Sequence, residues 1–160
     1  MYRRFIWNTD IRAQSVNASM HVDLSRFESQ YERAQMWMDT NCMRYMVPYM
    51  PMVTGNFIHN TMLRSAALAG SGYVCAGASP QGMYLYHGKT MVSPTTGSPY
   101  AQLGEKKVLV SQYSGMTAVR ENLQFDTAAH PKVEPRWFEA MKRDRGADLI
   151  AGTKRRAGGR

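Results

Sequence analysis

Gly88-Lys89-Thr90 is the segment of this chain whose residue types come closest to chemistry. It has the ending of a phosphate-binding loop, in which a glycine, four residues and Gly-Lys-Ser/Thr lead into a helix with free amides. The spacing fails, because five residues separate Gly82 from Gly88. Met91-Val92-Ser93-Pro94 follows, with a proline and no helical period. Lys89 therefore reads as a strand-end or surface residue.

The other reactive side chains are scattered. His21, His59, His87 and His130 form no pair at helical or strand spacing, whereas zinc sites usually show paired ligands. His130 precedes Pro131 and is expected to fix a turn through its ring nitrogens. Cys42 and Cys75 sit in apolar contexts without CxxC or His–Cys spacing, and read as small buried hydrophobes with no disulfide demanded. Nothing local would activate either thiol as a nucleophile. Carboxylates are few and lie mostly on helix faces. The expectation is a non-enzyme with no cofactor and no metal.

The elements that would carry these residues can be read in order. Residues 1–17 form an aromatic and basic extended arm, and Ala18–Asp23 alternates weakly as a short strand. Ser25-Arg26-Phe27-Glu28 has the pattern of a capping box. Behind it Phe27, Tyr31, Ala34, Met38, Cys42 and Tyr45 make one apolar stripe, so residues 25–46 are predicted as a long helix closed by Val47-Pro48. Pro48–Val53 is a stiff linker, Thr54-Gly55-Asn56 a turn, and Phe57–Leu63 two helical turns.

From Ser65 the expected period is that of strands: Ala66–Ala76 with a bend at its glycines, Met83–Tyr86 after a Ser79–Gly82 turn, and Val108–Ser111. Met116–Phe125 is a strand or an irregular return. Pro135 suits the first turn of a C-terminal helix with Trp137, Phe138 and Met141 on its apolar side. The predicted class is α+β: a long helix in the N-terminal half packed on an antiparallel sheet, a short C-terminal helix and extended termini. In domain terms, residues 1–17 are an arm, 18–150 a single α+β domain and 151–160 a basic flexible tail.

Charge sharpens this. The 160 residues carry a formal +8, and Lys142 to Arg160 hold seven basic residues against two acidic ones. Most of the excess therefore lies at the C-terminus, where Lys154, Arg155 and Arg156 are candidates for contact with DNA or an acidic partner. Thirteen Met and nine Tyr stand where Leu, Ile and Val are thin, a composition suited to surfaces that repack against partners. No apolar run approaches a membrane span, and Phe5-Ile6-Trp7 is too short for a signal-peptide core.

Three blocks carry a family resemblance. Tyr84-Leu85-Tyr86-His87-Gly88-Lys89-Thr90-Met91-Val92, with the Thr96–Ser98 turn and Pro99-Tyr100-Ala101, resembles a signature of the phage minor capsid proteins. Pro48-Tyr49-Met50-Pro51 with Thr54-Gly55-Asn56, and His130-Pro131-Lys132 with Trp137-Phe138-Glu139, fall in the same order. The likeness runs from about residue 18 to 145. This family looks related to the tail-completion, or head–tail joining, proteins of long-tailed phages.

The resemblance implies an α+β subunit that assembles as a six- or twelve-fold ring in the virion neck. Its neighbours would be head-side connector and stopper proteins and tail terminator or tube proteins, with genome DNA passing through the channel. Synthesis would be in the host cytoplasm. Assembly contacts are expected at Tyr84, Tyr86, Lys89, Met91, Thr96, Tyr100 and Trp137, and deleting Met91–Ser98 would leave a folded subunit that cannot join. The alternative from charge alone is a small basic protein that binds nucleic acid non-specifically through its tail.

Overall fold

The computed structural model describes residues 10–14, 19–78 and 80–158. Strand β1 (Asp10–Gln14) pairs antiparallel with β2 (Ser19–Asp23), Asp10 opposite Asp23 and Gln14 opposite Ser19. Part of the expected arm is thus one half of a hairpin; its remaining residues, 1–9 and 15–17, lie outside the described residues.

Helix α1 spans Ser25–Met46, as the stripe predicted. Its start is held differently. Ser25 makes no side-chain cap; the Asp23 carboxylate accepts from the Ser25 amide at 2.8 Å, and the Leu24 carbonyl accepts from Phe27 and Glu28. The hydrogen bond from the Ser25 amide holds the Asp23 carboxyl below its ordinary pKa. The buried face is also rotated from the predicted stripe. Ala34, Cys42, Met43 and Met46 are buried, while Phe27 and Tyr31 are exposed.

Helix α2 covers Asn56–Leu68, so Ser65–Leu68 are helical where a strand was expected. Ser-Ala-Ala-Leu prolongs a helix readily. Gly70 and Gly72 then take positive φ, 87° and 80°, and turn their amides onto buried Asp39 of α1. The Asp39 Oδ2 accepts from Gly70 N at 2.8 Å and Gly72 N at 3.0 Å, while Oδ1 accepts from Gln35 Nε2 at 2.7 Å. A carboxylate that lies off the predicted apolar stripe is the pin between α1 and the end of α2.

Met83–Tyr86 is likewise helical, forming α3 (Gly82–His87). Four alternating residues fit either period, and the stop decides. Gly88 at φ 65° ends α3 with its amide on the Leu85 and Tyr84 carbonyls. At the other end Gly82 crosses Gly77 so closely that a Cβ on Gly82 would lie 2.8 Å from the Gly77 carbonyl.

Beyond α3, β3 (Met91–Val92) pairs antiparallel with β4 (Val108–Leu109), and a 3-10 turn at Val110–Gln112 replaces the rest of the predicted strand. Residues 116–125 return irregularly, with Asn122 forming an isolated antiparallel bridge to Lys89. The class is α+β with most of its content in helix, and among the described residues the strands form two separate pairs.

Helix α4 runs from Trp137 to Arg156. It is long rather than short, Gly146 does not interrupt it, and residues 151–156 of the expected flexible tail are its last turns. Pro135 stands before the helix, which starts after Arg136 at φ 54°. The main partner of α1 is α4, not a sheet. Gln30 faces Gly158, Trp37 faces Gly152 and Arg156, and Tyr45 faces Arg145, so the two helices run antiparallel. Their shared core contains Cys42, Met43, Met46, Trp137, Met141 and Leu149. Both cysteines are free thiols, and burial raises Cys42 to about 11.

Two glycines of α4 should respond oppositely to alanine. At Gly152 a Cβ would come within 2.1 Å of the Trp37 ring, whereas at Gly146 it meets only Lys142 Cγ at 3.5 Å. Gly146→Ala should stabilise by about 0.5–1 kcal/mol through helix propensity. Gly152→Ala should destabilise by about 1–3 kcal/mol, since overpacking outweighs that gain. Urea denaturation of the two variants measures both, and an equal response would contradict the packing described.

Candidate assembly surface

The stretch from Gly88 to Tyr113 is built on backbone bonds that the short strands alone could not supply. Thr90 N donates to Glu121 O at 2.9 Å, Leu123 N to Gly88 O at 2.9 Å, and Val110 N to Thr90 O at 3.2 Å. Lys89 Nζ lies 2.9 Å from both Glu121 Oε1 and Asn122 Oδ1. The Gly-Lys-Thr segment thus follows the C-terminus of α3, where carbonyls rather than amides are free, and its lysine holds a carboxylate. That is the reverse of a phosphate loop.

Past Val92 the chain folds around one acid. Ser93, fully buried, donates from Oγ to Glu105 Oε1 at 2.8 Å and accepts from the Thr95 and Thr96 amides. The Thr95 hydroxyl donates to the same Glu105 oxygen at 2.7 Å, and Gln102 N to the other at 3.0 Å. The bonds from Thr95, then Gln102, then Ser93 draw the Glu105 pKa down to about 2. Beneath the turn the Tyr113 ring lies against Gly97 and Gly115, where a Cβ on either would come within 2.6 Å of the ring or its hydroxyl. Thr117 Oγ1 donates to Gly97 O at 2.9 Å.

The residues singled out from sequence separate into three groups. Tyr100 and Thr96 are exposed, Tyr100 by 83%. Tyr84, Tyr86, Lys89 and Met91 are half-buried, facing inward as much as outward. Trp137 is fully buried and is a core residue, not a contact. Its Nε1–H donates to Ala76 O at 2.9 Å, and its ring meets Tyr86 edge-on at 4.9 Å and Phe57 at 5.8 Å. Tyr86 donates its hydroxyl to Glu139; burial first, then that bond, raises the phenol well above its ordinary value, and the bond lowers Glu139. Met91–Ser98 is not a removable loop either, since Val92 and Ser93 have no exposed surface.

The chain turns after His130 as expected, with Val133 N donating to His130 O at 3.1 Å, but the ring makes a long-range contact instead of fixing that turn. Its Nδ1 lies 2.7 Å from the Met50 carbonyl, and Glu134 N donates to Tyr49 O nearby. This ties the second resemblance block to the third, completed by Tyr49 Oη donating to Asp144 at 2.8 Å.

Three features escaped the residue patterns. Leu103 and Met116 are fully exposed in the same irregular stretch of chain as Tyr100. Glu105 lacked any motif, because its partners are separated from it by up to twelve residues. A concave site of about 590 Å³ lies between α1 and α4, lined by Arg26, Gln30, Arg33, Met36, Trp37 and Arg156 among others. Arg26, Gln30, Arg33 and Trp37 share one helical face, a signal present in the spacing but submerged in the apolar stripe. Lys154 and Arg155 are exposed on the last turn of α4, and the Arg156 guanidinium sits 4.2 Å from the centre of the Trp37 ring.

Comparison with known protein families, with curated proteins and with solved structures gave no match. Among the described residues no helix is long and apolar enough to cross a membrane.

Glu105 makes the surface pH-sensitive. A carboxylate whose folded pKa lies below its ordinary 4.5 contributes stability that is fully present above that value and lost as pH falls through about 2. Hydrogen exchange at the Thr95 and Gln102 amides should therefore accelerate between those limits. Glu105→Gln should speed it already at neutral pH and flatten the acid dependence. Unchanged protection in that variant would refute the carboxylate's role.

Proposed function

We propose that the protein is a virion structural protein of the tailed-phage minor capsid type, a ring-forming subunit of the neck that joins the DNA-filled head to the tail tube. The observation that carries this is the contrast within the 93–116 region. It is tied internally by Glu105, Ser93 and Tyr113, while Tyr100, Leu103 and Met116 along it are exposed. A loop ordered from within and apolar without is suited to burial against a neighbour. A second apolar set, Phe27, Tyr31, Met62 and Leu63, lies on α1 and α2.

Closed rings need two different, complementary patches on each subunit, because a heterologous contact repeats head-to-tail. Two exposed apolar sets on separate elements answer that need. The three sequence blocks that resemble the minor capsid proteins support the same reading. They include Pro48–Pro51 and His130–Lys132, which meet at the Met50–His130 contact. The role asks for no catalytic group and no cofactor. Neighbouring rings would be connector or stopper proteins on the head side and terminator or tube proteins on the tail side.

A triple variant, Tyr100→Ser, Leu103→Ser and Met116→Ser, removes exposed side chains and should leave stability within about 0.5 kcal/mol per site. In assembly reactions it should yield filled heads and separate tails, and electron microscopy of wild-type particles should show the chain as a six- or twelve-fold ring. Purified virions lacking the chain, or normal joining by the variant, would overturn the proposal.

A further inference from the structure

The cleft between α1 and α4 has a chemistry of its own, independent of the ring reading. Arg26, Gln30, Arg33 and Trp37 follow one another at spacings of four, three and four along α1, which stacks them on a single face. Arg156 closes the cleft from the last turn of α4. Among the described residues three guanidinium groups line it and no carboxylate does. Arg33 is held along the helix by Nε donating to the Ser29 carbonyl at 3.1 Å. Met36, 55% exposed, adds apolar surface, and Trp37, covered by Arg156, stands in the wall.

We propose that this cleft docks an acidic, extended segment of a partner protein that also carries an apolar side chain. Guanidinium groups match carboxylates in planar, bidentate geometry, and three of them with no competing acid strongly favour an anion. A nucleobase would need an open face of Trp37. Arg156 covers the ring at 4.2 Å, and Gly152 lies so close that a Cβ there would meet the ring at 2.1 Å. A duplex presents phosphates on a convex rod and has no use for the exposed Met36. An acidic peptide with an apolar residue uses both the arginines and the apolar surface.

The test uses the full chain and three probes: a fluorescein-labelled peptide of alternating Glu and Leu, a labelled DNA duplex, and inorganic phosphate. Binding is followed by anisotropy for the labelled probes and by the Trp37 indole resonance, assigned with Trp37→Phe, for all three. The peptide should bind best and shift the Trp37 signal. Arg26→Gln and Arg33→Gln, both exposed and expected to leave the fold intact, should each weaken peptide binding about tenfold. Arg120→Gln, outside the cleft, should not. Tighter binding of duplex through the same arginines would overturn the proposal in favour of a phosphate site. Peptide binding that ignores both substitutions, or a Trp37 signal that no probe moves, would overturn it outright.

Discussion

Trp137 is the side chain on which the rest of this fold depends. It stands at the first position of α4, fully buried, with its N–H on the Ala76 carbonyl and its ring against Phe57 of α2 and Tyr86 of α3. Burying an indole removes on the order of 200 Å² from water, worth about 5 kcal/mol before ordering costs. One residue therefore gathers three helices and the connection between two of them. Arg136, in a left-handed conformation just before it, donates its amide to Tyr86 O, so the backbone is committed at the same point. Any surface displayed by α3 and the loop after it inherits its position from this anchor.

The second organising contact is the antiparallel pair α1 and α4. Gly152 lets α4 approach the Trp37 ring, and Arg156 caps the other side of that contact. The same approach creates the cleft, because arginines flanking Trp37 on α1 cannot be covered by a helix whose last turn is itself basic. Packing and recognition surface here have one origin. Glu105 performs for an irregular loop what strands do for a sheet. It supplies acceptors to amides and hydroxyls that have no ladder to join.

What could be read from residue order depended on the length of the pattern. Twenty-two residues without Gly or Pro, at steady three- and four-residue spacing, left only a helix for α1. Met83–Tyr86 was too short for its period to discriminate, and the left-handed Gly88 that ends it as a helix equally suited a strand bend. Gly70 and Gly72 misled in the same way. Their positive φ serves a turn that delivers amides to Asp39, a residue thirty-one positions earlier than Gly70. Trp137 was legible as a helix start but not as core, since Trp is equally at home in an interface.

The α+β class, the long helix and its end at Val47-Pro48, the entry to α4 and the lack of a true phosphate loop all followed from local order, because propensity, period and motif spacing are properties of neighbours along the chain. The display of Tyr100, Leu103 and Met116, the burial of Trp137, and the meeting of Arg26, Arg33 and Arg156 did not. Each depends on segments far apart in sequence. Arg156 illustrates the difference: in sequence it belonged to a loose basic tail, and in the fold it ends α4 over the ring of Trp37, which Gly152, one turn earlier, admits.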